Sequence, residues 1–159
     1  MRVSLEARLE DRAQWRIDQC PIAAAMDVIG TKSTILVLRE ALYGTTRFDD
    51  FVKRTGSAEA IVAARLKKLV GEGILAKQRY KEAGRRAQSE YVLTAKGLDL
   101  MPAVFALMQW GSTHLQNGEG PFVLRDEDSG MPVVIGAHGL DVEHEVEGVV
   151  VVASDRRPR

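Results

Sequence analysis

The chain has 159 residues, of which 45% are hydrophobic and 28% charged, and its formal net charge is zero. No apolar run approaches the roughly 18 residues needed to cross a bilayer, and the charged N-terminus lacks the apolar core of a signal peptide. A single cysteine cannot form an internal disulfide. These features argue against a membrane or disulfide-stapled protein and indicate a soluble, cytoplasmic domain with a modest extension.

The neutral total conceals an uneven distribution of charge. Residues 45–96 contain 12 basic and 6 acidic side chains, residues 1–44 contain 6 of each, and residues 97–159 contain 4 basic and 10 acidic ones. Affinity for a phosphate backbone comes mainly from Lys and Arg, which release condensed counterions. The middle segment is therefore the candidate for binding nucleic acid.

Apolar spacing and helix breakers predict three helices in the first 44 residues. They cover about 5–18, 21–30 and 31–44. A proline in its first turn suits the start of the second helix, and a glycine ends both the second and the third. Thr31 or Ser33 can cap the third helix.

Two short helices joined by a tight turn follow. The first is predicted at 47–53, Thr55-Gly56 makes the turn, and Ser57 caps the second helix, 58–71. Apolar residues form one stripe of this second helix. Its opposite face carries small residues and lysines, which let a helix backbone approach a partner closely; they are Ala60, Ala63, Ala64, Lys67 and Lys68.

Alternating residues then predict a hairpin of two strands, 74–80 and 88–94, with Gly84 supplying the turn. The end of this hairpin is strongly basic. Its cationic residues are Arg79, Lys81, Arg85 and Arg86.

A long helix is predicted over 95–116, capped by Thr94 and kinked at Pro102. Its apolar stripe is wide for a helix that projects from a small domain, which indicates a partner helix. The stripe consists of Leu98, Met101, Val104, Phe105, Met108 and Leu115.

The tail is rich in valine and acidic residues. Candidate strands lie at 131–136 and 147–154, and the final DRRPR is expected to be disordered.

The order of helix, turn, helix and basic hairpin is that of a winged helix-turn-helix, in which the second helix enters the major groove. Spaced motifs add to this order: CPI at 20–22, IGTK at 29–32, LRE at 38–40, LYG at 42–44, RF at 47–48, RLKKL at 65–69, GI at 73–74, YVLTAKG at 91–97 and WG at 110–111. With these motifs, the segment 20–115 resembles the HxlR family of bacterial winged-helix transcription regulators.

The resemblance implies an α+β, mainly α fold: a winged helix-turn-helix with N-terminal and long C-terminal dimerisation helices and a small β-containing extension. The expected divisions are an N-terminal helix (1–19), the winged domain (20–116) and the extension (117–159). The implied function is that of a homodimeric repressor, or else an activator, on a palindromic operator of double-stranded DNA. A small-molecule effector or redox stress is the candidate signal.

DNA contacts are expected from the helix-turn-helix and the wing, through Thr46, Arg47, Ser57, Ala63, Ala64, Arg65, Lys67, Lys68, Arg79, Lys81, Arg85 and Arg86. Ser57 and Arg65 should lie near the groove, and either alanine could touch a thymine methyl group. The remaining basic residues should position the protein on phosphates. A structural ion pair is an equal alternative for Arg65. The expected dimer interface contains Leu5, Leu9, Met101, Val104, Phe105, Met108 and Trp110.

Two departures from the family pattern concern base recognition. Ser33 stands where members usually have tryptophan, and Ala63-Ala64 stand where they often have Thr-Gln. Direct readout needs donors and acceptors on base edges, so two polar candidates for that task are missing.

Cys20 has two interpretations. A lone cysteine is most often a small buried hydrophobe. Its position also matches the cysteine that redox- and electrophile-sensing members of the family use, and the start of a helix can promote thiolate character.

Other classes of function stay open. Acids at 141, 143, 145 and 147 could line a small enzyme or ligand carrier, but no nucleophile or phosphate loop accompanies them, and alternating acids usually form the wet face of a strand. A protein-interaction module without DNA binding is the third possibility. The three histidines lack metal-ligand spacing, so we expect no metal, no cofactor and no enzymatic activity.

Overall fold

The computed structural model describes residues 11, 13, 15–80, 88–136 and 149–153. They form two compact units, Met1–Leu98 and Asp99–Arg159. After a short 3-10 turn at Ile17–Gln19, the elements are α1 (Pro21–Ile29), α2 (Lys32–Leu42), α3 (Phe48–Thr55), α4 (Glu59–Gly71), β1 (Leu75–Tyr80), β2 (Gln88–Leu93), α5 (Ala95–Leu98), α6 (Met101–Leu115), β3 (Phe122–Asp126) and β4 (Val149–Ala153).

The core of the first unit lies where α2, α3 and α4 meet the hairpin. Its side chains are almost fully buried: Val37, Leu38, Phe51, Val62, Leu66, Leu69, Ile74 and Leu75. Phe51 also meets Tyr91 of β2 edge to face, with ring centroids 6.3 Å apart. Burial of these apolar surfaces is the main force that fixes the helix-turn-helix against the hairpin.

The hairpin has the predicted strands and an antiparallel register. Leu75 pairs with Leu93, and Lys77 pairs with Tyr91. Its base is joined to α5 at close range, since a Cβ on Gly97 would lie 2.3 Å from the carbonyl oxygen of Ile74. Only glycine fits this approach, which explains the glycine that follows the second strand.

Helix capping agrees with the sequence at one site and differs at another. Thr31 caps α2, because its Oγ1 accepts a hydrogen bond from the Thr34 amide at 3.2 Å. The predicted cap of α4 at Ser57 is wrong: the N-cap is Ala58, which has no side chain able to cap. Helix α3 ends at Thr55, two residues later than predicted, and is closed by Gly56 in a left-handed conformation (φ +63°); α4 begins at Glu59, one residue later than predicted.

The helix predicted over 95–116 is two helices. Thr94 caps the short α5, accepting from the Gly97 amide at 3.1 Å, and the chain turns at Asp99 and Leu100. Pro102 then starts α6 instead of kinking it, because proline lacks the N–H that the first turn leaves unused.

In the second unit, β3 and β4 pair antiparallel, with Phe122 opposite Ala153. Strand β4 was predicted and β3 was not. The strand predicted at 131–136 is wrong: that segment bonds to β3 through a single bridge, Arg125–Pro132, because proline cannot extend a hydrogen-bond ladder. Gln109 of α6 fixes the segment, donating to the Val133 carbonyl at 2.8 Å and accepting from the Ile135 amide at 2.9 Å.

Most of the helix predicted at 5–18 lies outside the described residues, as do Leu5, Leu9 and the chain end.

Candidate nucleic-acid interface

The turn between α3 and α4 is held by its own backbone and one hydroxyl. Thr55 Oγ1 donates to the Phe51 carbonyl at 2.7 Å and accepts from the Ser57 amide at 3.3 Å. Together with Gly56, this sets the angle between the two helices. Ser57 is half-buried here.

Helix α4 is amphipathic in an unusual way. Val62, Leu66 and Leu69 are fully buried, while the opposite face exposes Ala60, Ala63, Ala64, Lys67 and Lys68. Apart from Lys67 and Lys68, that exposed face has no hydrogen-bonding side chain. It can therefore approach a groove closely, and it offers methyl groups in place of polar readers.

Arg65, placed among the DNA contacts from sequence, has an intramolecular partner. Its Nε donates to the Ser33 hydroxyl of α2 at 2.9 Å. Among the described residues, the partner of Arg65 is therefore a neutral hydroxyl and not an acid. The side chain is half-buried on the flank of α4 that faces α2.

Lys68 also has a partner within the chain. Its ammonium group donates to the backbone carbonyl of Asp27, in the last turn of α1. A cation is favourable there because the last carbonyls of a helix carry partial negative charge. Both adjacent lysines of α4 are exposed, and Lys68 is the one that is tied to α1.

The start of α3 is joined to the hairpin. The Tyr91 amide donates to the Thr46 carbonyl at 2.8 Å, and the backbones of Arg47 and Glu90 pair as an isolated antiparallel β-bridge. Arg47 is exposed and occupies the N-cap position of α3. These backbone contacts join the start of the helix-turn-helix to strand β2 of the hairpin.

On the wing itself, the Lys77 ammonium lies 5.8 Å from the centre of the Tyr91 ring, and Arg79 is exposed. Lys81, Arg85 and Arg86 lie outside the described residues.

A buried polar network that the sequence did not reveal supports the back of this surface. Glu40 is 6% exposed, and its carboxylate accepts from Arg39 at 2.6 Å and from Thr45 Oγ1 at 3.3 Å. Thr45 Oγ1 accepts in turn from Arg54 at 2.9 Å. The network links α2 to the last turn of α3. The sequence does contain one sign of this network: Glu40 is an acid within an apolar helix, and a buried acid needs a charged or hydrogen-bonding partner.

A cleft of about 520 Å³ separates the start of α2 from the turn before α4. It is lined by Lys32, Ser33, Leu36, Thr55, Gly56, Ser57, Ala58 and Ile61.

The candidate sensor, Cys20, is half-buried at the N-cap of α1. The candidate dimer residues that the structure describes fall into three groups by exposure. Val104 and Phe105 are buried within the chain at 5% and 4% exposure, so they are not available to a partner. Trp110 is 56% exposed, and Leu107 and Leu115 of the same helix are also exposed. Met101 and Met108 are half-buried.

Within the described ranges, no three His, Cys, Asp or Glu side chains are arranged to hold a metal ion. No single described helix has the length and hydropathy of a membrane span; α1 and α2 reach them only together, and they meet at 80°.

The HxlR-like helix-turn-helix family matches residues 28–119, so the chain belongs to this family. The predicted family is thereby confirmed. The uncharacterized HTH-type transcriptional regulator Rv3095 of Mycobacterium tuberculosis is 36% identical over 100 residues, which cover 63% of this chain and 62% of that protein. The match therefore spans less than two thirds of that relative's length.

Solved structures confirm the fold class. The crystal structure of PA1607, a candidate transcription factor, is 38% identical with a TM-score of 0.66, covering 74% of this chain and 81% of that one. The redox regulator HypR in its reduced form is 25% identical with a TM-score of 0.54, covering 62% and 99%. The α+β, mainly α winged helix-turn-helix fold is thus established, and the relatives are named as regulators, not enzymes.

Proposed function

We propose that this protein is a transcriptional regulator that binds duplex DNA with α4 and the wing. The proposal is based on the charge of residues 45–96, which contain six more basic than acidic side chains; the described part of this segment, 45–80 and 88–96, forms the helix-turn-helix and both strands of the hairpin. In this architecture the second helix of the motif enters the major groove and the wing follows the backbone. Membership of a family whose relatives are named as transcriptional regulators supports it.

The solvent exposure of each side chain indicates which part of the DNA it would contact. Lys67, Arg47 and Arg79 are exposed cations and would position the protein on phosphates. Ala63 and Ala64 would face the base edges and favour thymine through its methyl group. Lys81, Arg85 and Arg86 of the wing would add phosphate contacts.

Fluorescence anisotropy with a labelled duplex from the region upstream of the protein's own gene tests the proposal. Specific binding should weaken steeply with salt, because each neutralised phosphate contributes about −0.9 to the slope of log K against log salt. A shuffled duplex of the same length is the control. Equal affinity for both duplexes, or none, would favour the protein-interaction module.

We further propose a homodimer that acts as a repressor on a palindromic site, because two symmetric subunits match two half-sites. The exposed Trp110, Leu107 and Leu115 on α6 are candidate contacts with a second copy. Sedimentation velocity of Trp110→Glu against Thr113→Glu tests this: the first variant should dissociate and the second should not. A reporter driven by the upstream region should rise when the protein is deleted if it represses.

Redox control through Cys20 is a second candidate function. The position of Cys20 at the start of α1 and the similarity to the redox regulator HypR favour it. Diamide would oxidise two thiolates to a disulfide, between subunits or with a small thiol, and thereby change DNA affinity. A Cys20→Ser protein that responds to diamide as the wild type does would refute this role.

A further inference from the structure

The hydrogen bond between Arg65 and Ser33 joins the two helices that border the candidate DNA surface. Ser33 is the second residue of α2, and its hydroxyl is itself held in place, 3.2 Å from Thr31 Oγ1. Thr31 Oγ1 lies in turn 2.7 Å from Thr34 Oγ1. The acceptor that Arg65 meets is thus part of an ordered cluster of hydroxyls at the start of a helix.

The contact uses one of the five N–H groups of the guanidinium. Arg65 Nε is engaged by Ser33, while the two terminal amino groups have no partner among the residues that the structure describes. A free arginine loses considerable rotamer entropy when it binds a ligand. A side chain already held at Nε loses less, and its terminal fork stays available to an anion.

The position of Arg65 on α4 selects the kind of anion. Ala60, Ala63 and Ala64 form the face that would point into a groove, and Arg65 lies on the flank beside them, half-buried against α2. A side chain on the flank of a helix in a groove faces the groove wall. That wall is the sugar–phosphate backbone, so a phosphate oxygen is the partner within reach.

We propose that Ser33 is a positioning residue of the DNA interface and that it acts through Arg65, holding the guanidinium so that its terminal nitrogens meet a backbone phosphate. The inference rests on the proposed DNA binding by α4.

A double-mutant cycle in DNA binding tests the inference. The variants are Ser33→Ala, Arg65→Ala, both together, and Ser33→Thr, which keeps a hydroxyl. We expect Arg65→Ala to weaken binding about tenfold and to lower the salt slope by about one. Ser33→Ala should weaken binding about threefold with the slope unchanged, and Ser33→Thr should bind like the wild type. In the Arg65→Ala background, Ser33→Ala should have no further effect.

Two measurements on each variant separate this role from a structural one. Thermal unfolding reports its stability, and titration with stoichiometric DNA reports the fraction of the protein that is competent to bind. A loss of folding lowers the active fraction and leaves the salt slope of the folded protein unchanged. Additive effects of the two alanine variants, or an Arg65→Ala protein with the wild-type slope, would overturn the inference while wild-type binding still stood. Absence of specific, salt-dependent binding by the wild type would instead remove the proposed function.

Discussion

Lys68 of α4 donates a hydrogen bond to the backbone oxygen of Asp27, 41 residues earlier in the chain, and so ties the candidate recognition helix to the last turn of α1. Lys67 and Lys68 are both exposed, but Lys67 has no hydrogen-bond partner among the residues that the structure describes. Adjacent lysines of one helix therefore have different surroundings, and their replacement should have different consequences.

Lys68→Met should lower the free energy of unfolding by about 1 kcal/mol, because it removes a charged donor from the end of α1. Its effect on DNA affinity should be small. Lys67→Met is the matched control: it should leave stability within about 0.5 kcal/mol and reduce the salt slope of DNA binding by about one. Urea denaturation and anisotropy measure the two effects. A reversed pattern would show that Lys68 is the phosphate contact.

Glu40→Gln should destabilise the protein by about 2–3 kcal/mol. The carboxylate is buried and accepts from Arg39 and Thr45, so neutralising it leaves a partly buried guanidinium without its counter-charge. Glu72→Gln, at the exposed end of α4, is the control and should change stability by less than about 0.5 kcal/mol. Equal urea midpoints for the two variants would show that the network contributes little.

Two glycine substitutions should change the free energy of unfolding in opposite directions. Gly97→Ala should destabilise by about 1–3 kcal/mol, because the new Cβ would lie 2.3 Å from the Ile74 carbonyl oxygen. Gly71→Ala, at the end of α4 with nothing within 4 Å, should stabilise by about 0.5 kcal/mol through helix propensity and a less flexible unfolded chain. Thermal unfolding measures both changes in stability. A Gly97→Ala protein as stable as the wild type would mean that α5 can move away from β1.

Gln109→Ala should release the segment after β3 from α6. Both of its hydrogen bonds, to the Val133 carbonyl and from the Ile135 amide, are lost together. Hydrogen exchange of the Ile135 amide should accelerate by at least about tenfold, whereas exchange in α4 should not change. Thr113→Ala, an exposed position on the same helix, is the control. Unchanged exchange at Ile135 would show that other contacts hold the segment.

Local sequence signals predicted the helix-turn-helix and the hairpin well. The apolar stripe of α4, the turn at Gly56, the cap at Thr31 and the two paired strands all depend on residues close in sequence, where periodicity and turn chemistry act. The break between α5 and α6 was missed, because the apolar spacing continues through Asp99 and Leu100 while the backbone does not.

Local sequence signals could not predict hydrogen-bond and strand partners that are distant in the sequence. The acceptors of Arg65 and Lys68 lie 32 and 41 residues away, and only the packing of α4 against α1 and α2 brings them near. Two residues expected on DNA for their charge are therefore engaged within the protein. Strand β3 was missed for a similar reason, since its pairing with β4 depends on residues 23 or more positions apart.

The most direct test of the account is the affinity of the wild-type protein for its upstream duplex measured across a series of salt concentrations. We expect specific binding over the shuffled duplex and a slope of log K against log salt that corresponds to several phosphate contacts. Affinity that is equal for both duplexes and independent of salt would contradict the claim that α4 and the wing bind DNA.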